Sequence, residues 1–228
     1  MRAPPVSKLR RSAKKVKNTT SIIDRPKSLA DPLARIERAS GLQAPHIKPL
    51  SDFVTRLRHE AGEGASIPDF DPWDAGVDAE VLFLLEAPGA KAVLSGFISR
   101  NNPDETAKNF FELTAEAGIT RSRSVVWNIV PWYIGTGSRI RPASAVDIAS
   151  GSSSLARLLD LLPLLRVIVL LGRKAEYAEK LILPLRPQIR VVKSPHPSPL
   201  FVNNAPGNRH RVLTSFREAA ACLQNEKG

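Results

Sequence analysis

Cysteine is almost missing from this chain: Cys222 is the single one among 228 residues. One thiol excludes an internal disulfide, and it excludes iron–sulfur clusters and zinc sites built from cysteines alone. Cys222 sits in FREAAACL, a helical pattern in which it reads as buried apolar filler. Without disulfides, a reducing compartment is the expectation. Long apolar runs are missing too. Stretches such as VLFLL (81–85) fall far short of the roughly 18 residues of a membrane-spanning helix, so no membrane partner is expected. Acidic residues are missing from positions 1–20, and the whole chain carries 33 Lys and Arg against 22 Asp and Glu, a net charge of +11. That surplus favours a polyanionic partner, nucleic acid before an acidic membrane. The basic N-terminus has no apolar segment of the secretory kind, although a transit peptide fits its composition. The expected location is the cytoplasm, associated with the nucleoid in a bacterium, or the nucleus or an organelle in a eukaryote.

With 43% hydrophobic and 24% charged residues, the rest is ordinary for a globular protein of one mid-sized domain. Residues 1–30, rich in Lys and Arg and poor in large apolar groups, predict a flexible basic tail. Residues 31–228 predict a single domain. Helical spacing appears in DPLARIERAS and PLSDFVTRLRHEAG, and EGASIPDFDPWDAG reads as a loop. Continuous apolar strands then alternate with helices. The strands are predicted at 81–85, 124–130, 166–172 and 188–194, and the helices at 103–119, 144–162, 173–183 and 208–224. Gly151 and its neighbouring serines weaken the middle of the second of these helices. This pattern predicts an α/β fold, a three-layer αβα sandwich around a central four-stranded parallel sheet.

In such sheets, ligands bind beyond the carboxyl ends of the strands. That rule selects EAPG after the first strand, Asn128 near the end of the second, LLGRKA after the third and SPHPSPLF after the fourth. The last is unusual: one histidine, His196, stands among three prolines, and two apolar residues follow. A solvated loop needs neither the stiffness nor the bare tip.

Taken in order, these pieces resemble the uracil-DNA glycosylase superfamily. Leu85–Gly89 (LEAPG) is similar to the motif G-E-A-P-G of one branch, and His196 to Phe201 (HPSPLF) match its last motif. Asn128 stands where the family has a strand asparagine, Leu171–Arg173 where it has L-G-R, and Phe97 where it has a phenylalanine after the first motif. The resemblance spans roughly residues 78–224. Leu85 replaces the motif's first glycine. The four cysteines that hold an iron–sulfur cluster in that branch are absent, so the chain looks like a divergent member with no cluster, no metal and no organic cofactor. The resemblance implies a monofunctional enzyme that removes uracil, or another deaminated base, from DNA by base flipping, working as a monomer. The alternative is a DNA-binding module on the same scaffold that has lost catalysis.

Each matched residue has a chemical reading beside a bland one. His196, stiffened by prolines, suits a hydrogen-bond donor to the leaving base, or it caps a strand–loop junction. Glu86 suits a carboxylate that orients water and opposes positive charge on the sugar, or it caps backbone amides. Asn128 offers a donor and an acceptor to the edge of a pyrimidine, or it seeks an internal partner. Phe97 stacks on the flipped base or fills the core. The backbone at Ala87 and Gly89 holds base or water. Leu200 and Phe201 form a wedge for the duplex or pack under their loop. Lys193, Ser194, Ser198, Arg209, His210 and Arg211 are candidate phosphate contacts. Trp132, Tyr133, Arg139 and Arg141 are open between pocket wall, DNA backbone contact and plain surface or core.

Overall fold

The computed structural model describes residues 23–136 and 139–224. In chain order the helices are α1 (Pro32–Ser40), α2 (Lys48–Ala61), α3 (Ala90–Ser95), α4 (Glu105–Glu116), α5 (Ala145–Asp160), α6 (Glu179–Leu185), α7 (Pro199–Val202) and α8 (Asn208–Cys222). The strands are β1 (Asp69–Phe70), β2 (Val81–Leu85), β3 (Phe97–Ile98), β4 (Ser124–Asn128), β5 (Gly135–Thr136), β6 (Arg139–Ile140), β7 (Val167–Leu171) and β8 (Arg190–Ser194).

The Val, Ile and Leu runs form a four-stranded, all-parallel sheet in the order β4-β2-β7-β8. Its middle strands are buried on both faces, which is why their sequences do not alternate. Ring contacts identify the two covering layers. Phe83 meets Phe110 of α4 and Phe216 of α8. One residue further along the sheet, Trp127 meets Phe53 of α2 and stacks on Phe70 of β1 at 3.9 Å. Since Phe83 pairs with Val126 and Leu84 with Trp127, these contacts lie on opposite faces. α2 packs beside α5, and α5 beside α6. The three-layer α/β sandwich expected from the sequence is thus the observed architecture.

Helix starts follow capping chemistry. The Asp31 and Asp104 side chains accept from the first-turn amides of α1 and α4, and Ser144 with Asp147 forms a reciprocal capping box on α5. The segment predicted as one helix over 173–183 is instead a 3-10 turn, Ala175–Ala178, running into α6. The loop before the first long strand contains β1, which pairs with β3. Strands of two residues carry no periodicity to detect.

Of the predicted tail over residues 1–30, only residues 23–30 are described. Its residues 1–22 lie outside the described residues, but Asp24–Ala30 are docked on the domain. Leu29 is buried against Phe97 and Ala34, its amide donates to the Asn101 carbonyl at 3.1 Å, and Asp24 accepts from Asn101 and Arg121, each at 2.8 Å. The strong basic bias of the first 20 residues masked this short anchoring stretch.

Candidate active site

The sheet register brings four chain exits to one edge. Leu85 pairs with Asn128, and Leu171 with Ser194. Glu86, Gly172 and the loop carrying His196 leave from neighbouring strand ends. Leu85 and Asn128 share the parity of Phe83 and Val126, so both face the α4 side. There a cleft of about 800 Å³ opens between the sheet edge and the segment from α3 to α4. Glu86, Asn128 and His196 all line it, with the backbone of Ala87–Gly89, Val126, Phe110 and Arg141.

Asn128 is 3% exposed, and its side-chain nitrogen is fully buried with no hydrogen-bond partner. An unpaired buried amide donor costs about 1–3 kcal/mol. An internal partner for the Asn128 amide nitrogen is therefore absent among the described residues. Its strand end is held by Ile129 donating to the Leu85 carbonyl at 2.8 Å and Val130 donating to the Glu86 carbonyl at 3.0 Å. Gly151 supports it from behind. A Cβ there would lie 2.1 Å from the Ile129 carbonyl oxygen, so only glycine lets α5 approach so closely. The glycine that weakens the helix in sequence terms is a packing requirement.

Glu86 accepts the Ala143 backbone N–H on Oε1. Ala143 is buried and follows the β5–β6 hairpin, of which Ile140 lines the cleft along with Arg141 and Pro142. Gly89 begins α3 with an ordinary negative φ and open space where a side chain would stand. Its use to a ligand is that space, with no backbone strain involved.

His196 is held by its surroundings. Gly172, at φ +86°, donates to the Ser194 carbonyl at 2.8 Å, and a Cβ on it would come within 3.2 Å of the His196 Cβ. Asn109 of α4, not singled out in the sequence, donates to the Pro197 carbonyl at 2.9 Å. The Ser198 side chain caps α7 by accepting from the Phe201 amide at 3.4 Å. Neither ring nitrogen of His196 bonds to a described residue. Burial pushes its pKa down to about 4, so the imidazole is neutral at pH 7. A neutral ring presents one N–H donor and one lone pair.

Several expected contacts fall elsewhere. Phe97 does not line the cleft: it is buried with Leu29 and Ala34. Successive strand residues face opposite ways, so Ile98 takes the cleft side and Phe97 the far side. The ring in the cleft wall is Phe110, on α4. Ser194 is 2% exposed and donates to the Pro195 carbonyl, so its hydroxyl is not presented to a phosphate. Lys193 is paired with Glu179 at 2.6 Å and Arg209 with Glu116 at 2.7 Å. Arg211 sits over the Phe201 ring at 5.4 Å, and Phe201 packs against the core. His210 is exposed at the start of α8. Leu200 is 85% exposed.

A buried ionic cluster supports the far wall. Asp71 accepts from Arg38, Arg121 and the Ser99 hydroxyl. Asp74 pairs with Arg121 at 2.9 Å and with Arg100 at 3.4 Å. Burial works to raise the Asp71 pKa, but Arg121 and Arg38 outweigh it and hold the carboxyl below its usual value. For Asp74 burial prevails, and its pKa is raised despite Arg100 and Arg121. Ser99 and Arg100 themselves line the cleft, so this cluster fixes that wall. Among the described residues, no group of three or more His, Cys, Asp or Glu side chains is arranged to hold a metal.

The family model of the uracil DNA glycosylase superfamily matches residues 73–220. The chain belongs to this superfamily. Among solved structures, the chain is similar in fold to SMUG2 from Pedobacter heparinus, at 13% identity and a TM-score of 0.51, over 82% of this chain and 87% of that one. A candidate uracil DNA glycosylase from Methanosarcina acetivorans is 18% identical, with a TM-score of 0.45, over 63% of this chain and 92% of that one. Among curated proteins, none matches the chain. No described helix of this superfamily member is long and apolar enough to cross a membrane.

Proposed function

We propose that this protein is a monofunctional DNA glycosylase that hydrolyses the N-glycosidic bond of uracil, or of another deaminated base, flipped out of DNA. The observation that carries the reading is the unpaired, buried amide nitrogen of Asn128 in the same cleft as Glu86 and the neutral His196. A donor kept dry without a partner is a cost to folding that a ligand carbonyl would offset.

In the proposed reaction the sugar–base bond breaks with its electron pair going to the base. The sugar becomes oxocarbenium-like and the base leaves as an anion. His196 donates its N–H to the carbonyl oxygen on which charge grows, and Asn128 fixes the edge of the same base. Water adds to the sugar carbon as its proton passes to the Glu86 carboxylate and on to solvent, and the released base anion takes up a proton from solvent. Glu86 orients that water and opposes the positive sugar. Phe110 takes the stacking role first expected of Phe97. Leu200, at 85% exposed, is the apolar tip that enters the stack. The surplus of positive charge supplies salt-dependent affinity for the phosphates.

The test is incubation with single- and double-stranded oligonucleotides carrying uracil, hypoxanthine, xanthine or mismatched thymine. Free base and an alkali-labile abasic site from at least one are expected. Salt-sensitive DNA binding with no abasic product from any of them would instead assign the inactive binding module.

A further inference from the structure

We infer that Lys174 is a positioning residue for Glu86, acting through Ala143. The inference rests on the role proposed for Glu86 in the glycosylase reaction. Lys174 follows β7 by three residues and is half-buried. It forms no ion pair with a described residue. Its ammonium donates instead to one acceptor, the Ala143 backbone carbonyl, at 2.7 Å. The N–H of the same residue donates to Glu86 Oε1. Ala143 is therefore gripped on both of its peptide groups, by a cation on one side and by the candidate catalytic carboxylate on the other.

The neighbours of Ala143 make that grip effective. Pro142 has a fixed φ and no N–H. Arg141 holds Asp147 with two hydrogen bonds, at 2.6 and 2.9 Å, and Asp147 closes the capping box with Ser144. Residues 141–147 thus form one unit fastened to the start of α5. Lys174 and Glu86 tie this unit to the sheet edge. Without the ammonium, the buried Ala143 carbonyl loses its donor. A buried carbonyl does not stay unpaired. Residue 143 turns toward water, and its N–H no longer points at Glu86. A half-buried cation spent on one carbonyl, with Ala143 standing between it and the carboxylate that must point at a water, is the signature of orientation. Charge neutralisation would have placed a carboxylate within ion-pair distance of the ammonium.

The decisive experiment is a double-mutant cycle in the full chain, read by single-turnover base release. Lys174→Met keeps the apolar stem and removes the donor, and Lys174→Gln serves the same comparison if the Met variant folds poorly. In the wild-type background, a loss on the order of 10-fold or more is expected, within the roughly 100-fold that a misplacement of about 1 Å can cause. In the Glu86→Gln background, Lys174→Met should slow the enzyme no further. Lys174→Arg, which retains a donor, should recover most of the rate, and affinity for abasic DNA should stay within about twofold. Equal slowing in both backgrounds overturns the inference in favour of a purely structural lysine. So does no slowing where Glu86→Gln itself is slow. A second readout needs no activity. The Ala143 amide resonance and its exchange protection should both change in Lys174→Met, and an unchanged resonance overturns the inference. An inactive wild type would strike the glycosylase reading alone, since the Ala143 amide would still report on Lys174.

Discussion

Replacing Gly151 by alanine sets two rules against each other. In the interior of a helix, glycine to alanine stabilises by about 0.8–1 kcal/mol. At this position, however, the new Cβ would stand 2.1 Å from the Ile129 carbonyl oxygen. Ordinary contact begins at 3.4 Å, so α5 and the end of β4 must separate by about 1.3 Å. Overpacking of this kind costs about 1–3 kcal/mol. The obstacle here is backbone on both sides, so the upper part of that range applies, and net destabilisation is about 1–2 kcal/mol after the propensity gain. The displaced end of β4 carries Asn128. A shift near 1 Å at a reacting group costs up to about 100-fold in rate. Urea denaturation of wild type and Gly151→Ala gives the first quantity, and single-turnover base release gives the second. A variant that is more stable and equally fast would refute the close-approach argument.

Gly172→Ala should destabilise by about 1 kcal/mol, because alanine resists a positive φ, and it should also slow base release by pushing on His196; stability and rate measured on one preparation check both. The His196 imidazole should titrate near pH 4 by nitrogen-detected NMR. Because its ordinary value is 6.5, the unfolded chain binds the extra proton first, so stability falls as pH drops from 6.5 toward 4. His196→Gln should remove that part of the acid sensitivity, and a midpoint above 6 would contradict a half-buried ring kept neutral by desolvation. Asp71→Ala should lose about 3–5 kcal/mol in a denaturation experiment, since it strands buried Arg38 without its carboxylate. Leu200→Ala should weaken base release from duplex more than from single strands, as compared on matched oligonucleotides, while leaving the melting temperature unchanged.

The parts of this molecule that were legible in the sequence are those written locally. VLFLL and VIVLL are continuous apolar runs and SVVWN has an apolar centre, and they became the parallel strands β2, β7 and β4. The rule that sites follow strand ends then located Glu86, Asn128 and His196, and one cleft receives all three. What was not legible depends on distant partners or on a single step of register. Phe97 faces away from the cleft and Ile98 toward it, and a two-residue strand offers no pattern to say which side faces in. Lys193 and Arg209 looked like free cations, but Glu179 of α6 and Glu116 of α4 reach them across the fold. Phe110 and Asn109 sat in an ordinary amphipathic helix, and nothing in its spacing showed that one face closes the cleft. The Ala143 contact on Glu86 spans 57 positions.

The most direct test of the account is single-turnover base release from a uracil-containing oligonucleotide by wild type, His196→Ala and Asn128→Ala. Each substitution is expected to slow release by about 100- to 1,000-fold, the cost of one preorganised donor, with affinity for abasic DNA nearly unchanged. Release by either variant at the wild-type rate would contradict the shared cleft as the place where the bond is broken.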